Sequence, residues 1–481
     1  MIMEEISTGL DLTQGSHIKN LIRLSLPIMI SNFMQTFYNL ADTFWLGKLG
    51  DGARNAVSIA GIAFPLIFFF ASFGMGLGVS AVAVISRLRG SRDYHKIREF
   101  TGQFMLVFLI IALLFIVISL STLGYFLELL QTPPEVIDLA KSYMRVTIMS
   151  IFFMFFFLGY QNFNHALGDT VTPMKIQLVT LTLNVILDPF LIFGWWIFPR
   201  FETMGAAYAT FLCRLLTAIL CIIYFRKKTP NLIPTRAELK PDISKIRTIL
   251  KIGIPASISQ STISVGFLVL QGFVNSFGTV IISINAIGNR MVSLFMMPAM
   301  GLSHGLAAVV GQNLGANNIK RVYRSIRHTV VLVLIIMASG GAVMYLFGAE
   351  LTKFFINDPE VIEVGSRMFK IVAVSAVFFG ILFVMMGVFN GSGQTVSAMM
   401  FNISRLWVFR VPLVFILSGK LTEISFLQIS IIEDLLHFVS RPLAANPFDA
   451  LWWSMLFSNI MAATLALIIY KRGSWKKVQV N

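Results

Sequence analysis

The sequence predicts an all-α polytopic membrane protein, with twelve transmembrane helices in two parallel-repeat lobes of six. Three observations carry that expectation. Of 481 residues, 56% are hydrophobic and only 13% are charged, against roughly 45–50% and about 25% in soluble domains. Such a chain has too little polar surface to cover itself in water. Twelve apolar stretches reach the roughly 20 residues that span a hydrocarbon core as a helix, the form that leaves no backbone group unpaired in lipid. Finally, a single offset of 225 residues relates the two halves. It maps Pro134-Glu135-Val136-Ile137-Asp138 onto Pro359-Glu360-Val361-Ile362-Glu363, Met75-Gly76-Leu77 onto Met300-Gly301-Leu302, and Gly168-Asp169-Thr170-Val171 onto Gly393-Gln394-Thr395-Val396.

In chain order the spans fall at roughly 20–46, 56–86, 99–123, 139–165, 171–197, 204–226, 248–276, 281–311, 328–348, 367–390, 395–418 and 448–471. Several exceed 25 residues, which predicts tilt or kinks, with Pro27, Pro255 and Pro298 as candidate kinks. Between the spans the basic residues are unevenly shared. The loops 87–98 and 320–327, the stretch 226–251, the tail, and Lys19, Arg23 and Lys175 hold 24 of the 38 Lys and Arg; the opposite side holds nine, and five lie within spans. By the positive-inside rule both termini and the central linker are cytoplasmic. The net charge of +15 is therefore a topology signal and not a nucleic-acid footprint. Six spans per half insert both halves the same way up, giving parallel repeats about an axis along the membrane normal. The expected domains are an N-terminal lobe (1–228), a cytoplasmic linker (229–247) and a C-terminal lobe (248–481), arranged as a V-shaped alternating-access pair and working as a monomer. A long outer connection, 419–447, carries Leu427, Ile431, Leu435 and Phe438 at helical spacing, interrupted by Glu433 and Asp434. It reads as an interfacial helix, an outer lid or a solvated insertion.

Small counts exclude several classes. Cys213 and Cys221 are too few for a disulfide scaffold and read as helix packing. Six scattered histidines form no H-x-x-x-H pair, and there is no phosphate-binding G-x-x-x-x-G-K-S/T loop. Gly74, Gly76 and Gly78 lie inside an apolar run, where close helix packing explains them better than a nucleotide. The polar first 16 residues argue against a signal peptide. A membrane-embedded enzyme would need a nucleophile–base pair or a metal cluster, and none is visible.

Ionisable residues inside spans are costly and mark function by default. Two acids qualify, Asp42 and Asp188. Asp42 ends a stripe of Asn32, Gln35 and Asn39, and Asp188 ends one of Gln177, Thr180 and Asn184; both follow helical spacing and share one face. A buried acid pair can bind and release a proton near neutral pH, and Asp and Asn oxygens can equally coordinate sodium. The second half has no such acids from Ile243 to Ala349, but carries Arg290, Arg405 and Arg410, which either neutralise substrate or anchor helices. Its seventh span has a stripe of Gln260, Ser264, Gln271 and Asn275, and Met residues cluster on the eighth and around the tenth, as core filling or a promiscuous apolar cavity.

The string Leu26-Pro27 with Tyr38-Asn39-Leu40-Ala41-Asp42-Thr43-Phe44-Trp45-Leu46-Gly47 resembles the first helix of multidrug and toxic compound extrusion (MATE) transporters. Asn184-Val185-Ile186-Leu187-Asp188-Pro189 and Gly205-Ala206-Ala207 with Thr210 resemble the family's fifth and sixth helices. The likeness covers nearly the whole chain, and the lack of acids in spans 7, 8 and 10 resembles the DinF-like branch. The resemblance implies an antiporter in a prokaryotic plasma membrane, exporting small amphipathic organic cations and drugs, with no cofactor and with protons or sodium as coupling ion. It implies that Asp42, Asn184, Asp188 and Thr210 form the cation or proton site, and could hold sodium. It implies that Pro27 is the bending proline and that Tyr143 stands at the cavity wall; Gln161 stands where relatives often carry Asn. With these, Tyr38 of the first-helix string and Gln35, Asn39, Gln177, Thr180 and Gln260 of the polar stripes are the expected cavity residues. A lipid-linked oligosaccharide flippase of the same superfamily is the alternative, for which fourteen spans and a strongly cationic cavity would be expected.

Overall fold

The computed structural model describes residues 9–130, 132–418 and 446–476. Among them there is no strand. The helices are α1 (His17–Leu46), α2 (Ala53–Gly90), α3 (Tyr94–Leu129), α4 (Ile137–Met149), α5 (Ile151–Ala166), α6 (Val171–Phe193), α7 (Thr203–Lys228), α8 (Ile243–Asn275), α9 (Thr279–Gly315), α10 (Ile319–Leu346), α11 (Gly348–Phe355), α12 (Pro359–Ser392), α13 (Thr395–Ile403), α14 (Val411–Leu417) and α15 (Ala450–Lys471). Eleven helical runs among the described residues are long and apolar enough to cross a membrane. In that tally α4 and α5 act as one span, and α13 and α14 as another, joined through the wide π turn Ser404–Arg410. The remaining long helix, α1, has 30 residues, or about 45 Å of length. Its Asn, Gln and Asp residues hold its mean hydropathy down. The candidate outer segment 419–447, apart from its last two residues, lies outside the described residues.

Local signals set the helix ends. Ser16, Asp93 and Asp358 cap α1, α3 and α12 by accepting backbone N–H bonds. Two expected loops prove shorter than hydropathy suggests. Of 87–98 only Ser91–Asp93 is non-helical, and the supposed loop 320–327 is the first two turns of α10. Apolar stretches report where a helix meets hydrocarbon. The backbone hydrogen bonds continue beyond that point, and Arg87 and Arg89 there suit the negative end of α2.

The described helices form two compact units. Of the described residues, one holds 9–130, 132–257 and 308–319, the other 258–307, 320–418 and 446–476. The C-terminal end of α9 thus packs in the first unit. There its last turn meets the last turn of α2 at two glycines: a Cβ on Gly90 would run into the carbonyl oxygen of Gln312, and one on Gly315 into that of Arg87. These contacts are related by the 225-residue offset. So are two non-glycine residues in the left-handed region after the same helices, Arg92 (φ 60°) and Asn317 (φ 55°), and two helix-ending glycines, Gly168 (φ 79°) and Gly393 (φ 81°). The N-terminal segment is tied into this corner. The Leu12 N–H donates to Gln312 Oε1 (3.1 Å), Asn313 Nδ2 donates to the Leu12 carbonyl (3.1 Å), and Gln312 Nε2 donates to the Ala166 carbonyl (2.8 Å).

The glycine string in α2 is a packing device, as its apolar setting suggests. Side chains at Gly74, Gly76 and Gly78 would strike Leu158, the Ser257 backbone and Asn162. Both cysteines are free and buried. The linker after α7 is fastened to α3. Gln103, 2% exposed, donates through Nε2 to the carbonyls of Glu238 and Lys240 (both 2.8 Å) and accepts from the Asp242 N–H (3.0 Å). Arg98 pairs with Glu238 at 2.7 Å.

Candidate functional site

Four helices of the first unit bring polar side chains together in an otherwise apolar interior. From α6, the expected face is buried: Thr180, Asn184 and Asp188 are 3%, 2% and 0% exposed. From α1, Tyr38 and Asp42 stand one turn apart and are half-buried. From α7 come Thr210 and, one turn on, Arg214; α4 supplies the buried Tyr143. The Tyr38 hydroxyl and Thr210 Oγ1 hydrogen-bond at 3.1 Å. Arg214 donates from Nη1 to the hydroxyl of Ser150, at the α4–α5 junction, at 2.7 Å. Asp188 lies within electrostatic reach of Asp42, Asp42 within reach of Arg214, and Tyr38 and Tyr143 within reach of all three.

Several acceptors of the cluster have no partner. Asp42 Oδ1, Asn184 Oδ1, Gln177 Oε1 and both carboxylate oxygens of Asp188 are buried without a hydrogen-bond partner. Orphaned buried acceptors are rare in native proteins, and each calls for an explanation. A proton or a small hard cation satisfies such oxygens, and the amide and hydroxyl oxygens of Asn184 and Thr210 suit sodium as well.

The other expected residues divide. Gln177 donates to Gln35 (3.2 Å), and Gln35 to Asn39 (3.4 Å), so these three form a chain joining α6 to α1, although Asn39 itself is exposed. The Thr180 hydroxyl is spent on the Ile176 carbonyl (3.0 Å) of its own helix. Pro27 is buried inside α1, more than three turns before Asp42. Gln161 is half-buried on α5. Gln260 belongs to the second unit, not to the one that holds the cluster. Sequence reasoning missed Arg214 and its partner Ser150. The available signal was the spacing of four from Thr210, which places the Arg on the same face of α7. In the second unit, Arg405 is an anchor: it donates to Asn459 (3.5 Å) and lies over the Phe379 ring, 4.6 Å from the centroid.

With this arrangement in view, the comparisons with known proteins are decisive for the family. The MatE family profile matches residues 27–190 and 255–416. The chain belongs to the MatE family. It is a multi-pass membrane transporter and not an enzyme. The two matched MatE segments fall one in each half of the internal repeat. Among its relatives is the probable multidrug resistance protein YpnP of Bacillus subtilis (strain 168), 29% identical over 418 residues, which are 86% of this chain and 91% of that one. Another is the probable multidrug resistance protein NorM of Thermotoga maritima, 27% identical over 465 residues, covering 95% and 93%. The solved structure of a MOP superfamily transporter from Pyrococcus furiosus Vc1, whose binding pocket is described as reversed in polarity, superposes with a TM-score of 0.84 at 23% identity over 99% of this chain and 100% of that one. At that identity the likeness speaks for the fold alone.

Proposed function

We propose that this MatE chain is a secondary active multidrug exporter, moving organic and often cationic compounds outward in exchange for protons or sodium ions. The observation that carries the reading is the cluster of Asp42, Asp188 and Arg214. Two carboxylates and one guanidinium leave one formal negative charge in the interior of the first unit. One coupling cation at Asp42, Asn184, Asp188 and Thr210 neutralises it, and a bound organic cation then loses its counter-charge. A ligand shifts an equilibrium between two states only by its differential affinity for them. One charge gained or lost at low effective dielectric supplies a few kcal/mol of that difference. The names of the relatives support drug export as the process. The end-on position of Arg226, Lys227 and Lys228 in α7, with the basic linker beyond, supports cytoplasmic termini in a prokaryotic plasma membrane, and a single chain contains the whole cluster.

Asp42→Asn and Asp188→Asn are expected to abolish coupled export while leaving insertion and folding intact. Ethidium efflux in everted vesicles checks this, and normal efflux by both variants overturns the assignment. Substrate-driven uptake of each ion by proteoliposomes, under imposed pH or sodium gradients, separates proton from sodium coupling.

A further inference from the structure

A cavity lies in the first unit, among α3, α5, α7 and the linker, lined by none of the polar cluster's residues. Its volume is about 330 Å³, within the roughly 300–1,000 Å³ of small-molecule sites. Its inner wall is aromatic, with Phe104 and Phe108 from α3 and Phe155, Phe156 and Phe163 from α5. The Thr101 hydroxyl, also in the wall, is spent on the Ile97 carbonyl at 2.7 Å. Tyr160 adds the other hydroxyl of the lining, so an occupant must be largely apolar along its buried length.

The mouth has a different chemistry. Ile222 of α7 and Ile233 and Leu239 of the linker are exposed apolar residues at its edge. Arg226 follows Ile222 by one helical turn, about 6 Å, and is the charged side chain in the lining. Its neighbour Lys228 is engaged, with Asp169 at 3.5 Å and the Thr172 hydroxyl at 2.6 Å. Arg226 makes no ion pair among the described residues, and it stands at the basic end of a membrane-spanning helix. Basic pockets between helices at that level hold anionic lipid headgroups. The mouth is built rather than accidental, because Gln103 and Arg98 fasten the linker segment that forms one side of it.

We propose that this cavity is a binding site for an anionic phospholipid, with one acyl chain among the phenylalanines and the phosphate on Arg226. Because the linker forms one wall, an occupied site would brace the segment that joins the two halves of the chain.

Two variants test this separately. Arg226→Gln removes the headgroup partner at an exposed position. Gly159→Leu fills the cavity, since a Cβ there meets Phe108 at an ordinary 3.5 Å. The purified full-length protein is mixed with phosphatidylglycerol or phosphatidylcholine of the same acyl chains, and retained lipid is counted by native mass spectrometry. Thermal unfolding of each variant confirms that it is folded. The expected result is about tenfold more phosphatidylglycerol than phosphatidylcholine retained by the wild type, loss of that preference in Arg226→Gln, and loss of both lipids in Gly159→Leu. Equal retention of the two lipids by the wild type, or retention unchanged by both variants, reduces the site to ordinary boundary lipid and overturns the proposal.

Discussion

Arg214 fixes the charge of the polar cluster, and the arithmetic has a testable sign. With it, Asp42 and Asp188 leave one formal negative charge; without it, two. A unit charge several Å away contributes about 2–3 kcal/mol at an effective dielectric of ~20. Arg214→Gln is therefore expected to lower the half-saturating concentration of the coupling cation by at least about tenfold and to slow turnover, because the cation is released less readily. Arg214→Lys keeps the charge and should stay near wild type, which separates electrostatics from the lost bond to Ser150. The ion dependence of transport in proteoliposomes reads both, and unchanged or weaker cation affinity in Arg214→Gln would count against the charge balance. The acids were legible in the sequence because a carboxylate inside a span is conspicuous and its polar neighbours repeat at helical spacing. Arg214 was not, because a lone Arg in an apolar helix carries no sign of its partner. Ser150, the partner, breaks the α4–α5 run and belongs to no stripe.

At the scale of elements, the linker shows what hydropathy leaves out. Its composition reads as a polar tether, yet one glutamine of α3 engages three of its backbone groups and Arg98 pairs with Glu238. Losing a buried hydrogen-bonding partner costs about 1–3 kcal/mol. Gln103→Ala should accordingly speed trypsin cleavage after Arg236 severalfold in the detergent-solubilised protein, while cleavage in the tail stays unchanged; equal linker cleavage in both proteins would refute the clamp. The clamp is also acid-sensitive. Burial pushes the Glu238 carboxyl up, but the Thr235 N–H and hydroxyl and the Arg98 guanidinium outweigh it and hold the group below its usual range. The Lys245 side chain and backbone N–H do the same for Asp242. Carboxylates held low stabilise the folded state above their ordinary range, near pH 4, and lose that contribution as pH falls through the lowered values. Linker protection should hold at neutral pH and fade in strong acid, as hydrogen exchange at residues 235–242 will register.

At the scale of the whole chain, the 225-residue repeat was readable from three short strings, and its physical content proves larger than they suggest. It recurs in left-handed residues at matching turns and in a reciprocal crossing, Gly90 on Gln312 and Gly315 on Arg87. No string comparison reveals that crossing, because identity at an offset says nothing of which residues touch. Nor does the compact division follow the repeat, since the end of α9 packs with the first unit. The crossing makes a symmetric prediction. At Gly90 and Gly315 even a methyl group meets a backbone carbonyl, which cannot rotate away as a side chain can, and overpacking of that kind costs about 1–3 kcal/mol. At Gly61 and Gly124, also inside helices, a Cβ meets nothing within 4 Å, and Gly→Ala there gains about 0.5–1 kcal/mol of helix propensity. Gly90→Ala and Gly315→Ala should lower Tm by similar amounts, because each removes one half of the same reciprocal contact, whereas Gly61→Ala and Gly124→Ala should leave Tm level or raise it. Scanning fluorimetry of the four purified variants in one detergent decides the matter. A loss confined to one member of the Gly90/Gly315 pair would show that the crossing does not bear load symmetrically, and that the repeat has survived in sequence and turn geometry but not in the energetics of the contact where its two copies meet.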